Sequence, residues 1–502
     1  MFNIENIYQK LLEMDAITYT KGEVDMAKLL YNIFMELPYF KENPQNLKLV
    51  STDEKSILRF NQVSILEKGE SKDAVLIVNT IDEPALSEKL SRLDIMSMKA
   101  TTAALFKMME DLSEKLKEGK VVLINVCDRY GEHEGIKKAS KFVKELKDEG
   151  YNFKALFQTS LYLSNGEESV FFGSQAILRP SIFFAGKMAR TTAFYDGIDP
   201  GYILSTIVRD ITLNSELMDI YQNEVSEPIY VNRLLVPGGT EFQSAAFGYV
   251  SFTTTSVSHS IVGFMKEFKR VLTDSLKKSI DEINTKYAKY CLKRDIKFTP
   301  MKNMPKIYTW DEYLNEVATV RGEVVNASLK NKFKNMENRE DDVNPSEIRL
   351  RMVRYLYDNF RTANEPVLIL YLEEFPFHRV DITGTSDAQR DLMLAVTSSI
   401  NAVDPTIKRR FFFPEVSYSS FFDFTEEYRD LKAATELVPG DKKEHVGMLD
   451  ISKELGIPSV TMGAMTKLIN GEYVFDEDYH FKKLPNLMLE SILRLLDGEK
   501  SL

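Results

Sequence analysis

The sequence predicts an α/β protein: a mostly parallel mixed sheet flanked by helices, with an inserted α+β, ferredoxin-like segment. Three observations carry this. The runs "AVLIVNT" (74–80) and "VVLINVC" (121–127) are apolar without interruption, as strands of a parallel sheet covered on both faces are. A helix-like stretch from about Lys99 to Lys117 separates them and another, about Gly135 to Asp148, follows, which is the alternation that builds parallel sheets. Between residues 179 and 295 the pattern changes to strand, helix, alternating strand and one long helix.

The elements follow in order. "MFNIENIYQKLLEMD" reads as an amphipathic helix carrying charges, without the long apolar centre of a signal peptide. In the middle segment "SIFFAGK" (181–187) is a strand and "PGYILSTIVRDITLNSEL" (200–217) a helix. "FGYVSFTTTS" (247–256) alternates as a half-exposed strand. The long helix carries a stripe from Ile261 and Phe264 through Phe268, Leu272, Leu276 and Ile280 to Tyr287, close to the helical period, which predicts packing against its own sheet. Trp310 in "YTWDEYL" anchors a helix start. The charge run 337–344 leads into a helix with Asn344 as N-cap, Pro345 at the first position and Glu347 closing a capping box. "PVLILYL" (366–372), "RFFFPEV" (410–416) and "IPSVTMG" (457–463) resume the buried-strand pattern. A chain of 502 residues is too long for one ordinary core. The expected division is 1–178 and 296–502 as the two parts of one α/β domain, with 179–295 inserted.

Composition narrows the function. A net charge of −11 argues against nucleic acid or an anionic membrane as partner. Two cysteines far apart in sequence exclude a disulfide framework and favour the cytoplasm. No apolar run is long enough to span a membrane.

Ligands of parallel sheets bind outside the carboxyl ends of the strands. Two polar loops leave strands there. "NTIDEP" (79–84) brings Thr80, Asp82 and Glu83, and "CDRYGEHEG" (127–135) brings Asp128, Arg129, Tyr130, Glu132, His133 and Glu134. The five histidines lie at no zinc-binding spacing, and the sequence has no nucleophile elbow, Walker loop or dinucleotide fingerprint. An acidic rim without histidine would favour magnesium or calcium over zinc.

The order of elements, together with "GEVDMAKLLYNIFMELPYFKENPQNL" (22–47), "FAGKMARTTAFYDGIDP" (184–200) and "LPNLMLESI" (484–492), resembles the dizinc exopeptidases and amidohydrolases. These include aminoacylase, carboxypeptidase G and succinyl-diaminopimelate desuccinylase, and the resemblance is closest to the branch of the arginine-utilisation protein RocB. It implies a zinc-exopeptidase-like fold with the inserted segment as a lid, through which relatives often form homodimers.

It also implies a site whose residues differ here at nearly every position. The family's histidine of H-x-D falls on Thr80, leaving Asp82. The bridging aspartate before Met-Lys falls on Ser97, or on Met96. The paired glutamates fall on Arg129 and Tyr130 after Asp128. A further acidic ligand falls near Ser160, the last histidine near Ile469, and the lid histidine on Arg190. The expectation is therefore a degenerate homologue, with no cofactor, that binds an amino-acid-like small molecule or a partner protein. Its ligand-binding candidates are Thr80, Asp82, Ser97, Asp128, Arg129 and Arg190. The alternative is an active metal-dependent peptidase or amidohydrolase with a non-standard ligand set around Asp82, Asp128, Glu132, His133 and Glu134, in which case zinc is the cofactor.

Overall fold

The computed structural model describes residues 3–52, 59–84, 92–238, 242–301, 304–337, 345–440 and 442–498. The chain divides into two compact units. The first comprises Met1–Gln175, Arg379–Thr425 and Met448–Leu502, and the second Ala176–His378 with Glu426–Gly447.

The first unit is built on a mixed sheet. Its strands run, in spatial order, Leu47–Ser51, Phe60–Lys68, Gly119–Val126, Asp73–Thr80, Asn152–Gln158, Ser459–Thr461, Ser169–Phe171 and Lys408–Arg410. The four central strands, Gly119–Val126 to Ser459–Thr461, are parallel to one another, as the unbroken apolar runs predict. Val75, Ile77, Val121, Leu123 and Phe157 point into one core with Ala100, Ala103 and Ala104 of the helix Arg92–Lys115. Each large aliphatic or aromatic side chain buried in this way stabilises the fold by about 1.5–3 kcal/mol. The alanines present no branched side chain, so the helix lies close over the strands. It starts several residues before the expected Lys99.

One expected strand is absent. Only Lys408–Arg410 pairs as a strand, and "FFF" at 411–413 leaves the ladder. Pro414 has no N–H to donate. Phe413 is instead buried edge-on against Phe171, with ring centres 5.2 Å apart.

The second unit holds its own sheet. Its strands are ordered Tyr230–Leu235, Phe247–Ser256, Pro180–Ala185, Val367–Leu372 and Lys306–Thr309, and all neighbours are antiparallel except the last pair. The segment expected to be inserted, 179–295, lies wholly in this unit, which continues to His378. The physical reason is pairing: Val367–Leu372 runs antiparallel along the full length of Pro180–Ala185. The helices Trp310–Arg321, Val324–Glu337 and Pro345–Phe360 supply the crossover to that strand. Trp310 is buried at the first helical position, as expected, whereas Asn344 lies outside the described residues.

The strand Phe247–Ser256 is buried along nearly its whole length rather than half-exposed. It occupies an interior position, with Tyr249 facing a core that includes Trp310 and Tyr313, and Phe252 against Phe268 of the long helix Ile261–Arg294.

On the first of these faces the Tyr249 hydroxyl donates to the carboxyl of Glu373, whose other oxygen, Oε2, is buried without a hydrogen bond. Burial pushes the Glu373 carboxyl up to about 7. A carboxyl raised in the folded state above its unfolded value contributes stability that is complete below the unfolded value, near 4.5. That contribution is lost as pH rises toward 7. Glu373→Gln keeps the acceptor and removes the charge. It is expected to raise the unfolding midpoint at pH 8, leave it nearly unchanged at pH 4.5, and so flatten the pH profile of thermal unfolding by an amount on the order of 3 kcal/mol.

Candidate functional site

The carboxyl ends of the strands Asp73–Thr80 and Gly119–Val126 lie side by side, with Thr80 opposite Val126. Beyond them both chains turn inward, and the two polar loops meet. Asp82 is fully buried. Its Oδ2 accepts from the Thr18 hydroxyl at 2.7 Å, the Arg129 N–H at 2.8 Å and the Tyr130 N–H at 3.4 Å. Asp128 adopts φ +65°, a left-handed conformation uncommon outside glycine and asparagine-like residues. The strained turn is held from three sides. Its N–H donates to Glu23 Oε1 at 2.8 Å, its Oδ2 accepts from the Glu134 N–H at 2.8 Å at the start of the helix Glu134–Asp148, and its Oδ1 lies 2.8 Å from a guanidinium nitrogen of Arg59. The last contact is a buried ion pair. Arg59 also stacks on the Tyr19 ring, 4.6 Å from its centre.

A second ion pair closes the other edge of the rim. Lys99, in the helix Arg92–Lys115, reaches Glu83 at 2.8 Å and the Met14 carbonyl at 2.5 Å, with both charged groups buried. The Met-Lys pair therefore keeps its lysine as a structural cation.

Glu23, Asp82 and Asp128 crowd three buried carboxyls around Arg59. Burial, followed by the Asp82 charge, raises Glu23 well above the carboxylate range. Burial also raises Asp82, against the pull of the Thr18 hydroxyl. Asp128 is raised by burial despite Arg59 beside it. Asp82 Oδ1 is buried and accepts no hydrogen bond. Glu23, pushed up to about 8, is thus able to hold a proton at neutral pH.

Arg129 lies beside this cluster. Its guanidinium donates to Ser160 Oγ at 3.1 Å and to the Val416 carbonyl at 3.4 Å. The Tyr130 and Tyr418 ring centres each lie 5.9 Å from its central carbon. Burial pushes the Tyr130 hydroxyl up to about 12, so it remains a donor.

The candidates from the sequence divide into three groups. Thr80, Asp82, Asp128, Arg129, Tyr130 and Ser160 come together on this rim in the first unit. His133 joins them through Nδ1, 3.4 Å from the Tyr418 hydroxyl. Ser97 is buried in the helix wall and donates to the Met465 carbonyl at 3.0 Å, while Ile469 is 44% exposed at the end of the strand Met465–Ile469. Arg190 is exposed in the second unit, where its backbone bridges Gln243. Glu132 is half-buried, and Glu134 pairs with Lys137 on its own helix at 2.7 Å. Sequence reasoning missed Thr18, Tyr19, Glu23, Arg59 and Tyr418. The available signal was a lone arginine directly before the apolar strand Phe60–Lys68.

Among the described residues no group of three or more His, Cys, Asp or Glu side chains could hold a metal ion. On the rim, Asp128 and Glu83 face cations, and a guanidinium and a phenol stand at the positions that the resemblance gives to glutamates.

The chain shares its architecture with aminopeptidase PepT of Bacillus cereus, with 98% of each chain covered, a TM-score of 0.54 and 9% identity. It shares it equally with a tripeptidase of Staphylococcus aureus, with 98% of this chain and 97% of that one covered, a TM-score of 0.54 and 11% identity. At such identities the likeness is one of fold, and it is the fold expected from the resemblance. No family model matches the chain. In sequence, 259 residues are 24% identical to the uncharacterized protein YqjN of Bacillus subtilis, over 43% of this chain and 47% of that protein. The match therefore spans about half the length of that relative. No helix among the described residues is long and apolar enough to cross a membrane.

Breaking one partner of a buried ion pair leaves an uncompensated charge and costs about 3–5 kcal/mol. Arg59→Met is expected to lower the urea midpoint by a loss of that size. Adding Asp128→Asn to it should recover part of the loss, because the stranded carboxylate is removed with its partner.

Proposed function

We propose that this chain is a degenerate, non-hydrolytic homologue of the exopeptidases whose fold it shares, nearest in resemblance to the RocB branch. In this reading it binds an amino-acid-like ligand or a partner protein instead of cleaving a peptide. The observation that supports the reading is internal neutralisation of the rim. Arg59 faces Asp128 and Lys99 faces Glu83, so the carboxylates that could draw cations from solution meet cations of the chain itself. Dizinc hydrolysis needs a water activated between two metal ions and a carboxylate to take its proton. At the two positions where the resemblance puts that base and a ligand stand Arg129 and Tyr130. Thr80, Asp82, Ser97, Asp128 and Arg129, all of the first unit, are the proposed ligand-binding residues. A homodimer through the second unit is compatible with its edge strand Tyr230–Leu235, on which Tyr230 and Leu234 are exposed.

The test is metal content. Protein purified without a metal-affinity tag is expected to carry close to no zinc by mass spectrometry, before and after incubation with zinc, and its melting temperature should not respond to chelator. One or two zinc ions per chain would overturn the reading and point to hydrolysis around Asp82, Asp128 and the 132–134 loop.

A further inference from the structure

Arg129 is 7% exposed, yet among the described residues its guanidinium meets no carboxylate within ion-pair distance. Neighbouring buried cations of the same unit are treated differently: Arg59 has Asp128, Lys99 has Glu83 and Arg379 has Asp381. Of the five N–H donors that a guanidinium carries, Arg129 directs donors to one hydroxyl and one carbonyl, both neutral. The carboxylates of Asp82 and Glu415 act on it only from beyond ion-pair distance. The direct pairing that Arg59, Lys99 and Arg379 each have is open at Arg129.

We infer that Arg129 is the receptor for a carboxylate brought by a ligand, whose anion completes this pair. The inference rests on the non-hydrolytic reading above and names the chemistry that the site would recognise. The planar fork of a guanidinium matches a carboxylate through two parallel hydrogen bonds. The Tyr130 and Tyr418 rings give the site flat walls. Asp82, whose carboxyl takes the Arg129 N–H, and the nearby Asp128 place negative charge beside it. That charge disfavours a dianion such as phosphate and leaves a monoanionic carboxylate as the fitting group.

The probe is acetate, replacing chloride at constant ionic strength, with thermal unfolding of the full chain as readout. Binding to the folded state alone raises the melting temperature with concentration. The wild type is expected to show a saturable rise. Arg129→Met is expected to lose the acetate response while still unfolding in one cooperative transition in chloride. Arg129→Lys, which keeps the charge and loses the fork, is expected to need about tenfold more acetate for half saturation. No response in the wild type overturns the inference, as does a response that survives in Arg129→Met or a larger response to phosphate than to acetate. Zinc is measured in the same samples. Zinc uptake overturns the non-hydrolytic reading and this inference with it, whereas no zinc and no acetate response overturns this inference alone.

Discussion

The buried contact between Arg59 and Asp128 is the constraint on which the rim depends. Asp128 occupies a left-handed conformation that few side chains other than those of Asp and Asn adopt, and its neighbours hold it there. Its backbone N–H is fixed by Glu23, one carboxylate oxygen starts the helix Glu134–Asp148, and the other faces Arg59. Four segments therefore meet at a single residue: the N-terminal helix Lys21–Met35, the strand Phe60–Lys68, the end of Gly119–Val126, and the helix that follows. Arg129 and Tyr130 come next in the chain, and their N–H groups are aimed at Asp82 by the same turn.

The same contact bears on chemistry. A cation fixed within the chain neutralises a carboxylate at no cost in ligand concentration, but it cannot polarise a carbonyl or activate a water as a metal ion does. The rim retains the geometry of strand ends around a ligand cleft, while its charges are satisfied largely from inside. Arg129 is the exception, and the burial that makes the exception costly would also make a matching anion selective.

The second unit shows the converse arrangement, in which burial outweighs the cations near an acid, Arg179 first among them. Glu373 takes the Tyr249 hydroxyl and holds its proton up to about pH 7. Ser181 and Ser251, opposite each other on adjacent strands, are the small residues on the face that Tyr249 shares. The alternation of "FGYVSFTTTS" thus marks two different buried faces, not one buried and one wet. Side-chain period alone does not distinguish these cases, because Ser and Thr pack under aromatic rings as readily as they face solvent.

The sequence by itself determined the parallel core, because strands covered on both faces must be apolar throughout and the helices between them carry the 3.6-residue period. It also placed Asp82, Asp128 and Arg129 at neighbouring strand ends, since they follow such strands within two or three residues. Tertiary structure alone decided what those residues do. Thr18 and Asp82 are 64 residues apart, and Glu23 and Asp128 are 105 apart. Contacts at that separation leave no local pattern in the chain. Tertiary structure also decided where the second unit ends, because the antiparallel pairing of Val367–Leu372 with Pro180–Ala185 depends on register across nearly two hundred residues. An apolar run of seven residues reads the same in either sheet, and only its hydrogen-bonding partner assigns it to one.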